Sequence, residues 1–154
     1  MQINLIMIGR TNINYIKEGI SEYEKRLKHY VKFNQKVINT PKKYSSLSRK
    51  ELTIKESELI MDNIEKDSLT ILLDERGKEM TSVEFSKFLE TKMTMNKTIN
   101  FVIGGAFGFS DTLKSKYQSI ALSKMTFSHQ MVRLIFIEQL YRAMTILKGQ
   151  SYHH

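Results

Sequence analysis

Hydrophobic residues in this chain fall into short continuous runs, separated by longer segments in which apolar and polar residues recur at helical spacing. The short runs predict five strands, at 2–8, 33–38, 69–73, 99–103 and 119–122. The longer segments predict helices at 12–29, 48–66, 81–95, 110–116 and 129–148. Strands that alternate with helices predict a single α/β domain over 1–154, with a mainly parallel sheet and helices on both faces.

The segments between these elements carry turn and capping signals. Residues 39–48 read as a loop around Pro41, and residues 74–80 read as a turn. Thr81 and Glu84 form a capping-box pattern at a helix start, and Ser128 is expected to cap a helix that begins at residue 129.

The last predicted helix is apolar on nearly all sides, which indicates burial on more than one face. In a chain of this size, a second subunit is the expected cover. Arg133 lies within its apolar stripe and has two interpretations: a side chain that reaches out to water, or a buried functional pair.

Composition restricts the class of protein. The 154 residues are 41% hydrophobic and include one proline, which is typical of a folded globular chain. The absence of cysteine excludes disulfides, thiolate metal sites and cysteine nucleophiles. No apolar run reaches the length of a membrane span and the first residues lack a basic leader, so we expect a cytoplasmic protein.

Positive charge is concentrated in one segment. The chain has a net charge of +8, and residues 24–50 hold nine Lys or Arg against one acid, Glu24. Such a segment, with Tyr30, Phe33 and Tyr44 interspersed, fits contact with a phosphate backbone. The alternative is an ordinary solvated surface.

Glycines follow the predicted strand 99–103, at Gly104, Gly105 and Gly108. In open α/β sheets, ligands bind at the ends of such strands, and a second irregular segment follows the strand at 119–122. The glycines match neither a dinucleotide fingerprint nor a P-loop. The four histidines suggest no metal site, and the spacing of Ser128, His129 and Asp111 does not support a triad. The residues alone therefore predict a small-molecule pocket and a basic face.

An ordered set of motifs resembles one known family. The set comprises SEYEKRL at 21–27, LLDERGK at 72–78, VIGG at 102–105, ALSKMTFSHQMVR at 121–133, IEQLYRA at 137–143 and SYH at 151–153. It resembles, from end to end, the SPOUT-superfamily methyltransferases that modify N3 of a pseudouridine in 23S ribosomal RNA. Ser128 departs from the proline usual in this family, and serine is itself a good helix N-cap.

The resemblance implies a C-terminal trefoil knot, a homodimer, S-adenosylmethionine as methyl donor without a metal, and helix 69 of 23S rRNA in the assembled ribosome as target. It implies a cofactor site made of Leu73, Gly104, Ser123, Lys124, Met125, Thr126, Phe127 and Ser128. Candidate catalytic residues are His129, Arg133, Arg142, Tyr152 and His153, and the group that accepts the N3 proton stays open. Glu138 is expected mainly to form a helix salt bridge with Arg142.

Other interpretations remain at this point. A non-catalytic RNA-binding protein on the same fold would keep the pocket and the basic segment. A flavodoxin-like oxidoreductase is a second rival, which the broken glycine fingerprint disfavours. Residues 149–154 are either a frayed end or tag remnant, or a tail in which Tyr152 stacks on a base and His153 exchanges a proton.

Overall fold

Five parallel strands form one sheet in the computed structural model, which describes all residues from Met1 to His154. The order across the sheet is β2-β1-β4-β3-β5, and every neighbouring pair is parallel. The predicted parallel sheet is therefore confirmed. The strands are β1 (Gln2–Ile8), β2 (Lys32–Ile38), β3 (Leu69–Glu79), β4 (Thr98–Ile103) and β5 (Gln118–Ala121).

Four α-helices connect the strands and a fifth follows the last strand. A short 3-10 helix, Lys42–Ser46, lies in the segment predicted as a loop. The predicted capping box at Thr81 is confirmed, because Thr81 and Glu84 exchange side-chain hydrogen bonds with each other's main-chain N–H. Ser48 and Glu51 form a second capping box. The helices are α1 (Asn14–Leu27), α2 (Arg49–Asp62), α3 (Ser82–Met95), α4 (Asp111–Lys116) and α5 (Met131–Leu147).

The helices cover both faces of the sheet, as the sequence predicts. Helices α1, α3 and α5 bury the larger core on one face, and α2 and α4 bury a smaller core on the other. Successive strand residues point to opposite faces. Phe101 of β4 accordingly lies in the larger core, and Val102 lies in the smaller one. Strands covered on both faces explain the continuous apolar runs.

The turn predicted at 74–80 is wrong, because β3 continues to Glu79. Its pairing with β5 shifts register, so that both Leu73 and Lys78 pair with Ile120. Between them, Gly77 lies directly on the β5 backbone: a Cβ there would be 2.6 Å from the main-chain N of Ile120. Only glycine permits this approach.

Helix α5 begins at Met131, two residues later than predicted. The Ser128 hydroxyl still accepts a hydrogen bond from the Met131 N–H at 3.2 Å. The side-chain oxygen of Gln130 accepts hydrogen bonds from the N–H groups of Asn12 and Ile13, which ties the helix start to the segment after β1.

Helix α5 packs against α1 and α3. Its buried side chains include Phe136, Ile137 and Leu140. Leu134 is half-buried against this core, and Ile135 is half-buried outside it. The homodimer and the trefoil knot stay predictions. None of the helices has the length and the apolar character that a membrane crossing requires.

Candidate active site

A cleft of about 580 Å³ lies at the edge of the sheet where β4 ends, beside the point at which the pairing of β3 shifts register. Its wall includes Leu73 of β3 and Ile103 of β4. Two loop segments complete it, the glycine turn at 104–108 and the loop at 122–129. The carboxyl ends of parallel strands are where open α/β sheets bind ligands.

Seven of the eight residues expected at the cofactor line this cleft, and their role in binding stays a prediction. Lys124 does not line it. Its side chain is 86% exposed, with Nζ 3.8 Å from a carboxylate oxygen of Glu79. The seven lining residues are Leu73, Gly104, Ser123, Met125, Thr126, Phe127 and Ser128.

The glycine turn closes on itself. The Gly108 N–H donates a hydrogen bond to the Gly105 carbonyl at 3.1 Å, and Gly108 has φ +76°, a conformation that favours glycine. A Cβ on Gly104 would lie 3.1 Å from the Gly108 carbonyl oxygen. The missing side chain of Gly104 therefore lets the turn close.

The turn also presents hydrogen-bond donors. The N–H groups of Gly105, Ala106 and Phe107 donate to no other main-chain group. Since all three residues line the cleft, these donors are available to a polar ligand.

The loop at 122–129 is anchored to the extension of β3. The Thr126 hydroxyl donates to a Glu75 carboxylate oxygen at 2.6 Å, and the Ser123 hydroxyl accepts from the Met125 N–H at 2.9 Å. The Met125 side chain is 77% exposed. Phe127, by contrast, is half-buried.

Charged residues that sequence reasoning did not assign to the site also line the cleft. Asp74 and Arg76 come from the segment predicted as a turn, and Asp74 pairs with Lys114 at 3.8 Å. Arg49, at the start of α2, places its guanidinium 4.7 Å from the ring centroid of Phe107. Asp74 and Arg76 could have been assigned to the site from the sequence, because they directly follow the buried run 69–73.

Arg133 is fully buried beneath the cleft. The interpretation that its side chain reaches out to water is therefore wrong. Its guanidinium donates to the Ile8 carbonyl at 2.7 Å, the Thr11 hydroxyl at 2.9 Å and the His129 carbonyl at 3.1 Å. No carboxylate pairs with it, and burial lowers its pKa. Arg133 thus links the end of β1 to the start of α5 and does not line the cleft.

His129 does line the cleft. The pKa of His129 is lowered, mainly by partial desolvation from surrounding protein atoms and to a smaller extent by the positive charge of Arg133. Its imidazole is therefore neutral at neutral pH and able to accept a proton.

A family model described as Predicted SPOUT methyltransferase matches residues 1–153. The chain belongs to the SPOUT methyltransferase family. Full-length relatives carry the name Ribosomal RNA large subunit methyltransferase H. The proteins of Parabacteroides distasonis and Cytophaga hutchinsonii are 51% and 49% identical, over 100% of this chain and 99% and 100% of their own lengths. That of Bacteroides fragilis is 46% identical, over 100% of this chain and 99% of its own length.

A solved structure, described as a probable methylase family protein from Haemophilus influenzae Rd KW20, shares the fold. The TM-score is 0.53 with 14% identity, covering 99% of this chain and 70% of that one. At this identity the likeness concerns the fold alone.

The remaining candidate catalytic residues of this SPOUT methyltransferase form a second cluster, at the far end of α5. Arg142 donates two hydrogen bonds to Glu138, at 2.7 and 3.1 Å, so the expected salt bridge is present. The guanidinium lies 4.7 Å from the centroid of the Tyr152 ring, and His153 Nδ1 is 3.4 Å from Arg142 Nη1.

The tail at 149–154 is held against the protein, which argues against a frayed end. The Tyr152 ring packs edge-on against Tyr141, with centroids 4.8 Å apart. Its hydroxyl donates to Glu138 at 3.1 Å and lies 3.2 Å from the Tyr23 hydroxyl. Burial, followed by these hydrogen bonds, raises the pKa of Tyr152. The phenol therefore stays protonated and is a donor rather than a base.

The two clusters are separate within one chain. None of Arg142, Tyr152 and His153 lines the cleft. Arg142 lies eleven residues after the start of α5, or about 17 Å along the helix axis at 1.5 Å per residue. One chain therefore does not bring the tail cluster and the cleft together.

Proposed function

We propose that this methyltransferase transfers the methyl group of S-adenosylmethionine to N3 of a pseudouridine in helix 69 of 23S ribosomal RNA, in the assembled ribosome. The observation that carries the proposal is the set of full-length relatives, 46–51% identical, that bear the name Ribosomal RNA large subunit methyltransferase H. We also propose a cytoplasmic location, because the proposed substrate is ribosomal.

The cleft suits this donor. S-adenosylmethionine has an apolar adenine face, polar base edges and no phosphate. The chain offers apolar walls at Leu73, Ile103 and Phe127, and unpaired N–H groups on the glycine turn. When bound, the donor supplies an electrophilic methyl group. The contribution of the protein is to hold it in line with the acceptor nitrogen.

Deprotonation of N3 requires a proton acceptor. His129 fits this role because it lines the cleft and its lowered pKa keeps it neutral. Arg142 stays a cation beside Glu138 and fits stabilisation of the developing oxyanion. Tyr152 fits hydrogen bonding or stacking to the target base, together with His153.

A homodimer is part of the proposal because these groups lie apart in one chain. Helix α5 keeps half-buried apolar side chains outside its core, at Ile135 and Ile146. A two-fold partner packed there would bring the tail cluster of one protomer towards the cleft of the other.

The basic segment supports RNA as the partner. Lys42, Lys43 and Lys50 are exposed, on the 3-10 helix and the first turn of α2, and Arg49 beside them lines the mouth of the cleft. A positive surface that continues into the cleft suits a phosphate backbone entering with its target base.

Transfer of a radiolabelled methyl group from S-adenosylmethionine to ribosomes lacking the modification tests the proposal. We expect label in 23S rRNA, in a nuclease fragment of helix 69, with fully modified ribosomes as the control. Ribosome binding without transfer would identify a non-catalytic RNA-binding protein. Label at another nucleotide would refute the target.

A mixing experiment tests the shared site. Gly104→Val should disable the cleft, because a side chain there presses on the turn, and deletion of 151–154 should disable the tail. Each inactive protein alone forms no complete site. After subunit exchange, about a quarter of the wild-type sites should be restored if cleft and tail come from different protomers. No recovery in demonstrably mixed dimers would refute the shared site.

A further inference from the structure

Glu56 of α2 is a buried carboxyl without a partner. Its residue is only 6% exposed, and its Oε2 is the one buried side-chain oxygen or nitrogen in the protein that makes no hydrogen bond. Burial raises the pKa of Glu56, with no charged neighbour acting on it. Because an unsatisfied buried acceptor is unfavourable in a folded protein, it requires an explanation.

This carboxyl lies directly behind the glycine turn. A Cβ on Gly105 would lie 2.4 Å from Glu56 Oε2 and 2.8 Å from Oε1, so the carboxyl occupies the space that a side chain at 105 would take. The next residue, Ser57, accepts a hydrogen bond from the Ser110 N–H at 2.9 Å. Helix α2 therefore supports the cleft wall from behind.

Main-chain donors without a main-chain partner lie in the turn beside this unmet acceptor. The N–H groups of Gly105, Ala106 and Phe107 donate to no main-chain group, and Gly105 touches the Glu56 carboxyl. The turn itself is held by one main-chain hydrogen bond, between Gly105 and Gly108. A small rearrangement of the turn would pair the Glu56 carboxyl with a main-chain N–H that has no main-chain partner.

We propose that Glu56 is a positioning residue for the donor site, and that its carboxyl accepts a main-chain N–H of the glycine turn when a ligand fills the cleft. The ligand-bound turn then gains a hydrogen bond that the free turn lacks, so part of the ligand affinity comes from Glu56 without direct contact. This inference rests on the proposed function, since it takes the cleft as the S-adenosylmethionine site.

Three variants test the role of Glu56, with calorimetry of S-adenosylhomocysteine and S-adenosylmethionine binding and thermal unfolding of the ligand-free protein. Glu56→Met fills a similar volume without an acceptor. Glu56→Gln keeps an acceptor oxygen. Glu58→Gln is the matched control, because Glu58 lies on the same helix, is 50% exposed and pairs only with Lys55.

Glu56→Met should weaken ligand binding by about threefold to about tenfold, the contribution of one ordinary hydrogen bond. Its melting temperature should be equal to or above that of the wild type, because an unsatisfied buried group is removed. Glu56→Gln should recover most of the affinity, and Glu58→Gln should match the wild type. With saturating ligand, hydrogen exchange at Ala106 and Phe107 should be slower in the wild type than in Glu56→Met.

Gly105→Ala is a second route to the same effect, since its methyl group displaces the carboxyl. It should weaken binding in the wild type and add no further loss to Glu56→Met. Wild-type affinity in Glu56→Met would overturn the inference, and so would parallel losses of affinity and melting temperature, which mark a purely structural residue. A wild-type protein that binds neither ligand would refute the proposed function first, and this inference with it.

Discussion

Replacing Arg133 by methionine tests whether the base of the cleft depends on its buried guanidinium. Methionine fills similar length but donates none of the three hydrogen bonds to Ile8, Thr11 and His129. The Ile8 carbonyl is left buried without that donor, which lowers the free energy of unfolding by about 1–3 kcal/mol. The other two acceptors are only partly buried, so the loss of their hydrogen bonds lowers it by less. Relief from burying a charge offsets part of this loss. We expect a net loss of about 3 kcal/mol, or about 6–12 °C in melting temperature for a chain of this length.

Urea unfolding followed by circular dichroism measures this loss, and calorimetry with S-adenosylmethionine measures its effect on the cleft. Affinity should fall as well, because Arg133 fixes the main chain of the cleft-lining His129. Arg133→Lys, which keeps a cation that reaches fewer acceptors, should show an intermediate loss. Wild-type stability and affinity in Arg133→Met would show that the three hydrogen bonds do not organise the site.

Three further predictions concern the tail, the basic segment and His129. Deleting 151–154 should remove most methyl transfer on ribosomes but leave S-adenosylmethionine affinity near wild type, because the deleted residues do not line the cleft; wild-type turnover would show that the tail is dispensable. A variant that combines Lys42→Glu, Lys43→Glu and Lys50→Glu should bind ribosomes more weakly and with a flatter salt dependence. An unchanged salt slope would indicate that the basic segment is only a solvated surface. Since the pKa of His129 is lowered from 6.5, activity should persist below pH 6.5 and fall only at lower pH, where the ring gains a proton. An unchanged acid limb in a residually active His129→Gln would exclude it as the base.

The strands and helices were predictable because burial of both sheet faces imposes local patterns. Continuous apolar runs such as 99–103 occur where a strand is covered on both sides, and helical spacing marks the segments that cover it. The second half of β3 was not predictable in this way. Gly77 reads locally as a turn residue, and its actual constraint is contact with Ile120, which is distant in sequence.

The cleft was predictable in part for the same reason. Glycines after a strand and an irregular loop after another are local signals, and parallel strands place both at one edge of the sheet. The roles of individual residues depended on contacts across the fold. Arg133 proved to be a structural link to Ile8, and Glu56 gave no signal in the sequence because its burial depends on the absence of a side chain at Gly105.

Helix α5 connects the two halves of the proposed chemistry. Its start carries the loop that lines the cleft, and its end carries Arg142 and the residues packed on it, about 17 Å away. A rigid helix cannot bring its own ends together. If both clusters act on one nucleotide, the second protomer must supply one of them, so dimerisation becomes a condition for catalysis. The half-buried apolar side of α5 then has two roles: it stabilises the dimer, and it holds the two protomers so that each active site is complete.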